Sequence, residues 1–419
     1  MILYKGVEIL KIDFFVVNLM ALRFEEIANR IKSRWRKYFL TAEAREEARR
    51  DHLGLLEADP GTEKAIERGI KWLEIAQDCS ASHDGGVAAG YSFIFDWLPS
   101  YPETTGYIVP TMLAYANSRG DNTVRQRARR MLDWLVSIQL PEGGFQGGMV
   151  NSVPKVPVTF NTGQILRGLA SGVREFGEEY RAPMRRAADW LVETQDKDGC
   201  WRKYPTPFAS PGMKSYETHV VWGLFEAAKF DPDKPYKDSA LANIRWTLKQ
   251  QRENGWFDEC CIDDPSRPTT HTLGYVLRGV LEGYEFSGES DFLVAACKTA
   301  DGLLGAMRSD GFIKGRFYSD WKGAVDSACL TGIAQISICW LMLYQFTSEK
   351  RYRDAAFVAN SFLRRTMKCE SRPEIRGAIK GSYPIDGDYC PYEYPNWACK
   401  FFIDANMLEQ EIRKKEEGG

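Results

Sequence analysis

Six times along the chain a helix-forming run ends in one type of turn, at a spacing too regular for unrelated domains. Trp72 to Gln77 precedes Gly85-Gly86, Trp134 to Gln139 precedes Gly143-Gly144-Phe145, and Trp190 to Gln195 precedes Gly199-Cys-Trp201. Trp246 to Gln251 precedes Gly255-Trp256-Phe257, Gly302 to Met307 precedes Gly311-Phe312, and a weaker copy runs from Phe362 to Gly377. Successive anchors lie 62, 56, 56, 56 and 60 residues apart. A fixed period of this size is the mark of a repeat architecture. It overrides the three domains that 419 residues suggest at roughly 150 residues each.

Each unit holds a second helical run, beginning near Thr105, Asn161, Thr218, Thr272, Ser327 and Asn396. The first helix of a unit interleaves charge with apolar residues, as in Val124 to Val136, so one face is wet. The second carries little charge, as in Ala328 to Tyr344, so it is buried on most sides. One amphipathic and one buried helix per unit, six times over, predict six inner helices inside six outer ones, because only stacking neighbours can cover these faces. The expected fold is all-α: an (α/α)6 toroid over 59–410, with an N-terminal helical extension over 1–58 and a charged tail over 411–419. Trp72, Trp134, Trp190 and Trp246 fall in the outer ring by their place in the repeat. The turn glycine reverses the chain, and the Gln can bond backbone that the helix end leaves unpaired.

Gln195 to Trp201 resembles the QxxxGxW repeat of squalene-hopene cyclases and prenyltransferase-like toroids, and Gln139 to Phe145 and Gln251 to Phe257 are degenerate forms. The resemblance implies the toroid and says little of chemistry, because the motif is a structural clamp. Trp97 to Pro110 and Gln139 to Gly148 resemble an uncharacterised branch of toroid proteins from bacterial exopolysaccharide biosynthesis clusters. That implies a setting in polysaccharide metabolism.

Lys plus Arg number 55 against 57 for Asp plus Glu, a balance that argues against a nucleic-acid partner. Ten scattered cysteines without a CxxC read as thiols in a reducing cytoplasm. The apolar start, Ile9 to Leu22, is broken by Lys11 and Asp13, and no membrane span is predicted. It is expected to pack on the body as a terminal helix; with Arg30, Lys32, Arg34, Arg36 and Lys37, peripheral membrane contact through residues 1–37 is the alternative.

In a toroid the inner helices start on one rim. Thr104/Thr105, Asn161/Thr162, Thr218, Thr270/Thr272, Asp326/Ser327 and Asn396 are expected as N-caps there, and converging helix N-termini favour anions. Candidate catalytic residues at this rim are His219, Glu103, Tyr216, Glu217, His271 and Asp326. Candidate substrate-binding residues are His83, Asp84, Tyr101, Gln146, Asn161, Arg316, Trp321, Tyr383 and Trp397; Asp386 is a further carboxylate. Cations are interspersed, among them Arg267, Lys314, Lys322, Lys380 and Lys400. Aromatic faces stack on pyranose rings and polar groups bond hydroxyls, so the expected partner is an acidic, uronate-containing oligo- or polysaccharide. No cofactor and no metal are expected.

Three reactions fit. Hydrolysis needs two carboxyl groups across the scissile bond, with Glu103, Glu217, Asp326 and Asp386 available. Elimination or C5-epimerisation needs a base beside a carboxylate and groups that hold the developing charge. Tyr216, His219, His271 and Tyr383 could act as base or acid there, and Asn161 and Arg316 could hold the carboxylate. A catalytically silent glycan-binding or scaffold toroid is the alternative, to be told apart by whether the mouth is deep or filled. An isoprenoid cyclase or prenyltransferase-like enzyme is a second alternative. It lacks the DxDD acid motif, since Asp263-Asp264 runs into Pro265. A prenyltransferase zinc set from Asp258, Cys260 and His271 is disfavoured by its spacing.

Overall fold

The computed structural model describes residues 40–207, 209 and 212–418. The stretch 1–37 proposed for membrane contact, and nearly all of the N-terminal extension before α1, lie outside the described residues.

Thirteen α-helices are found among the described residues. α1 (Ala42–His52) precedes six pairs. The outer members are α2 (Thr62–Asp78), α4 (Asn122–Ser137), α6 (Arg181–Thr194), α8 (Tyr236–Leu248), α10 (Ser290–Ala306) and α12 (Lys350–Arg364). The inner members are α3 (Pro102–Arg119), α5 (Thr159–Phe176), α7 (Val221–Ala228), α9 (Thr270–Ser287), α11 (Leu330–Thr347) and α13 (Asn396–Gly418). A 3-10 turn, Ser215–Val220, leads into α7. The expected charged tail is helical as far as Gly418, continuing α13.

The two helix classes differ as their sequences require. In α4 Asp121 caps the start by accepting from Thr123 and Val124 backbone N–H, and only Val124, Ala128, Met131, Leu132, Trp134 and Leu135 are buried. α11 is buried from Leu330 through Leu343, because it packs on the inner helices α9 and α13 and on the following outer helix α12. By length and hydropathy α11 could cross a membrane, but most of it lies inside the ring. Inner helices approach closely at small residues: a Cβ on Gly168 of α5 would sit 2.3 Å from the Gly106 carbonyl of α3.

The ring closes. α13 packs on α2 and α3, Asn396 Nδ2 donates to Thr104 Oγ1 (2.8 Å), and Thr111 donates to Asp404 (2.7 Å). β1 (Gly90–Ser92) pairs antiparallel with β2 (Asp96–Trp97), placing Tyr91 opposite Trp97. β3 (Ala328–Cys329) pairs antiparallel with β4 (Ser382–Tyr383). The loop of the first unit is tied to that of the last where β1 pairs with β5 (Glu393–Pro395). α1 is locked on the last loop by a buried cluster, in which Lys380 meets Glu47 (2.6 Å) and Asp51 (2.5 Å) and Lys368 meets Glu47.

The turn residues act as a stitch between units. Gln195 Nε2 donates to the carbonyl of Gly199 in its own turn (2.9 Å) and to that of Ser239 on the next outer helix (3.0 Å). Gln139 bonds Gly143 and Pro183 in the same way, and Gln77 bonds Gly85 and Arg127. Gly199 has φ +93°, and a Cβ there would lie 2.4 Å from the Ala242 carbonyl of α8. Gly143, Gly255, Gly311 and Gly377 repeat this approach. Trp201 is buried under the turn and donates Nε1 to the Leu191 carbonyl (2.9 Å). Gln195→Ala should therefore cost about 1–3 kcal/mol by leaving carbonyls unpaired, read as a lower urea midpoint with an unchanged helical spectrum.

The expected caps are corrected. α11 starts later than expected, at Leu330, and Thr218 falls in the 3-10 turn before α7, whereas α3, α5 and α9 start earlier, so their threonines lie inside the first turn and Thr269 caps α9. Their hydroxyls brace the preceding loop instead. Thr105 accepts from Val87 N–H (3.0 Å), Thr162 from Phe145 N–H (2.9 Å), and Thr272 donates to the Cys260 carbonyl (2.8 Å).

Candidate active site

The mouth is neither flat nor filled. A cavity of about 380 Å³ opens where the inner helices begin. Tyr101, Glu103, Thr104 and Tyr107 come from the start of α3, Phe160 from α5, and Tyr216 from the 3-10 turn. Thr269, His271 and Tyr275 come from α9 and Trp397 from α13, so five of the six inner elements aim their N-terminal ends here. Loops add Ile262, Asp263, Arg316, Tyr389 and Cys390. The partial positive charge of converging N-termini favours a negative group in this space.

Two carboxyl groups on this wall hold opposite protonation. Glu103 is buried, and loss of solvation pushes it up to about 8 although the Tyr101 phenol bonds it. At neutral pH it carries its proton. Asp263 is exposed at the cavity edge, and the Arg316 guanidinium outweighs its partial loss of solvation and holds it below the usual carboxylate range. Arg316 donates to both Asp263 oxygens (3.0 and 2.6 Å) and also to Asp388.

His271 is buried, and burial pushes it down to about 4 against the opposing bond from Gln335. Its Nδ1 bonds Gln335 Oε1 at 2.9 Å. An amide oxygen only accepts, so Nδ1 carries the hydrogen and Nε2 keeps a lone pair. The ring stands 4.3 Å from that of Tyr275, whose phenol bonds Tyr107. Trp397 donates Nε1 to the Tyr389 hydroxyl (2.9 Å), which orients two aromatic walls.

Six of the expected site residues meet at this cavity: Glu103, Tyr216, His271, Tyr101, Arg316 and Trp397. The others do not line it. His219 lies beneath the floor, with its Nδ1 on Gln164 Oε1 (2.9 Å) and its ring 4.6 Å from Tyr275. Asn161 is buried near Tyr101 and does not line the cavity. Glu217 is buried off the cavity, and desolvation raises it to about 8. Asp326 is fully exposed on Lys314 (2.7 Å). His83 is an exposed loop residue with φ 49°, and Asp84 accepts from Ser100 (2.6 Å) and Gly86 N–H as a loop brace. Gln146 donates to the Met149 carbonyl. Trp321 packs on Trp256 and over Gly302 of the outer helix α10, away from the mouth. Tyr383 lines a separate cleft with Lys380 and Asp51, and Asp386 is paired with His52.

Arg316 was expected to hold a substrate carboxylate; two aspartates already occupy it. Several other rim cations are engaged likewise: Arg267 with Asp264, Lys322 with Asp320, Lys380 with Glu47 and Asp51; Lys155 and Lys203 are exposed and do not line the cavity. Lys400 is buried inside the ring on Asp404 (2.5 Å). The residues that the sequence did not single out are Tyr107, Tyr275, Tyr389 and Asp263. Tyr107 and Tyr275 fall four residues after Glu103 and His271, one helical turn deeper on the same face, so helical spacing could have found them. No group of metal-ligating side chains is found among the described residues.

Residues 99–279 match the family model described as the squalene-hopene cyclase C-terminal domain. Over 224 residues the chain is 26% identical to the squalene–hopene cyclase of Bradyrhizobium diazoefficiens, covering 48% of this chain and 30% of that protein. Over 220 residues it is 24% identical to a terpene cyclase–glycosyl transferase fusion protein of Humicola fuscoatra, covering 45% of this chain and 15% of that one. The chain thus spans less than a third of the length of either relative. In three dimensions it is similar to an unsaturated glucuronyl hydrolase specific for heparin (TM-score 0.68, 16% identity, 84% of this chain and 98% of that one). It is similar also to a D-mannose isomerase (TM-score 0.67, 12% identity, 84% and 97%). The repeat, the closed ring and these likenesses agree that the chain is an α/α toroid.

Proposed function

We propose that the chain is a carbohydrate-active enzyme that hydrolyses an acidic, uronate-bearing glycan in the mouth of the ring. The observation that carries this is one aromatic-walled cavity holding a protonated Glu103 and an ionised Asp263. Environments that drive two carboxyl groups apart in pKa assign acid and base roles. Glu103 would give its proton to the departing glycosidic oxygen, and Asp263 would face the developing positive charge or activate water. Tyr101, Tyr107, Tyr216 and Trp397 offer faces and hydroxyls to the sugar ring. The fold likeness to a glucuronyl hydrolase supports this reading, and the positive ends of five inner elements suit the anionic group.

His271 favours a second reading. A neutral imidazole with a free Nε2 on the cavity wall can remove a proton beside a carboxylate, as elimination or C5-epimerisation requires. The isomerase among the fold neighbours is in keeping with it. The absence of DxDD speaks against the cyclase chemistry of the sequence relatives. The resemblance of Trp97 to Pro110 supports a place in polysaccharide biosynthesis, and the sparse cysteines support a cytoplasmic one, with residues 1–37 as the proposed membrane contact.

A screen against acidic oligosaccharides, reading reducing ends and ultraviolet absorbance in parallel, tests the proposal. New reducing ends without a rise in absorbance are expected. A rise in absorbance would transfer the chemistry to His271, and binding without either signal would make the toroid a glycan-binding module.

A further inference from the structure

The one cation that lines the cavity, Arg316, is engaged by two aspartates, which leaves the choice of an acidic ligand without an obvious counter-charge. One lies deeper. Arg167 of α5 is buried, with its guanidinium 3.3 Å from the centroid of the Trp222 ring. Arg278 sits 3.9 Å from the same centroid. Arg278 is paired with Glu282 (2.6 Å), and Lys400 with Asp404 (2.5 Å), which also accepts from Thr111. The nearby Glu226 is taken by Arg174 and Lys229. Among the described residues the guanidinium of Arg167 makes one hydrogen bond, to the neutral Gln164 Oε1 at 3.3 Å. Glu285 also lies beside Arg278 and Glu282, but of the three buried cations Arg167 alone makes no ion pair among the described residues, so its charge is the one without a carboxylate in contact. Burial, then the Arg278 charge, push Arg167 down to about 10, so it stays protonated at neutral pH.

The same Gln164 oxygen holds His219, whose ring lies against Tyr275 of the cavity floor. Arg167 follows the cavity residue Phe160 by seven positions, two helical turns, so it sits roughly 10 Å below the sugar site. We infer that Arg167 is the residue that selects a carboxylate-bearing sugar over its neutral counterpart, acting through the floor without touching the ligand. The inference rests on the acidic-glycan reading. At that separation one charge at an effective dielectric of about 20 changes affinity on the order of tenfold, and burial shields the effect from salt.

The test is titration calorimetry with D-glucuronate and D-glucose, which differ at one carboxylate. Wild type should prefer glucuronate about tenfold, at low and at high salt. Arg167→Met should lose the preference and Arg167→Lys should keep it; Arg167→Gln serves if the Met variant does not fold. A folded Arg167→Met or Arg167→Gln protein with the wild-type ratio overturns the inference and leaves the acidic reading standing. A wild type with no preference overturns both. A structural role alone would weaken both sugars equally and would also refute the assignment.

Discussion

Glu103→Gln is expected to lower kcat by two to four orders of magnitude, the usual contribution of a positioned general acid. KM should change little, because glutamine keeps the shape of the side chain and its bonding to Tyr101. The pH dependence follows from the protonation state. Wild-type activity should fall as pH rises through about 8, where Glu103 loses its proton. The stability effect has the opposite sense to a folding defect. A carboxyl raised in the folded state binds more protons there than in the unfolded chain between about pH 4.5 and 8, so it makes stability fall as pH rises through that window. Glu103→Gln removes this loss, and the variant should gain stability relative to wild type across the same window in urea unfolding. A variant that is inactive and also destabilised at pH 8 would place Glu103 in the scaffold instead.

Gly199→Ala should be among the most damaging single methyls in the turns that stitch the outer ring. Its φ of +93° is strained for any side chain, and the new carbon would meet the Ala242 carbonyl at 2.4 Å. Backbone strain of about 1–3 kcal/mol adds to a steric cost of about 1–3 kcal/mol, so a loss of about 3–5 kcal/mol is expected. Chemical unfolding measures it directly. Gly305, an outer-ring glycine with nothing near its Cβ, is the control, and its alanine variant should be close to neutral or stabilising. Equal behaviour of the two variants would remove the stitch between units from the account.

The ring was legible because its determinants are local and repeated. Trp190, Gln195, Gly199 and Trp201 lie within one stretch of chain, and their spacing alone announces a turn that each unit repeats. The site was legible only at its rim. Glu103 and His271 stand out beside helix starts, whereas Tyr107 and Tyr275 look like ordinary core aromatics until the helices are set in a ring. The cations were misread for a different reason. Arg316 finds Asp388 72 positions away, and Lys380 finds Asp51 329 positions away. Pairing at such separation leaves no trace in local composition. The threonines near each inner helix start satisfied the same pattern as caps, and only the loops packed over them show that their hydroxyls point backwards to Val87, Phe145 and Cys260.

The central claim is that a carboxyl at the mouth is kept neutral for proton delivery beside one that is kept charged. Carbon-13 NMR of the glutamate and aspartate carboxyls, with Glu103→Gln and Asp263→Asn variants to assign the signals, measures it without a substrate. Glu103 should titrate near 8 and Asp263 below the usual carboxylate range. A Glu103 midpoint near the ordinary 4.5 would contradict the account.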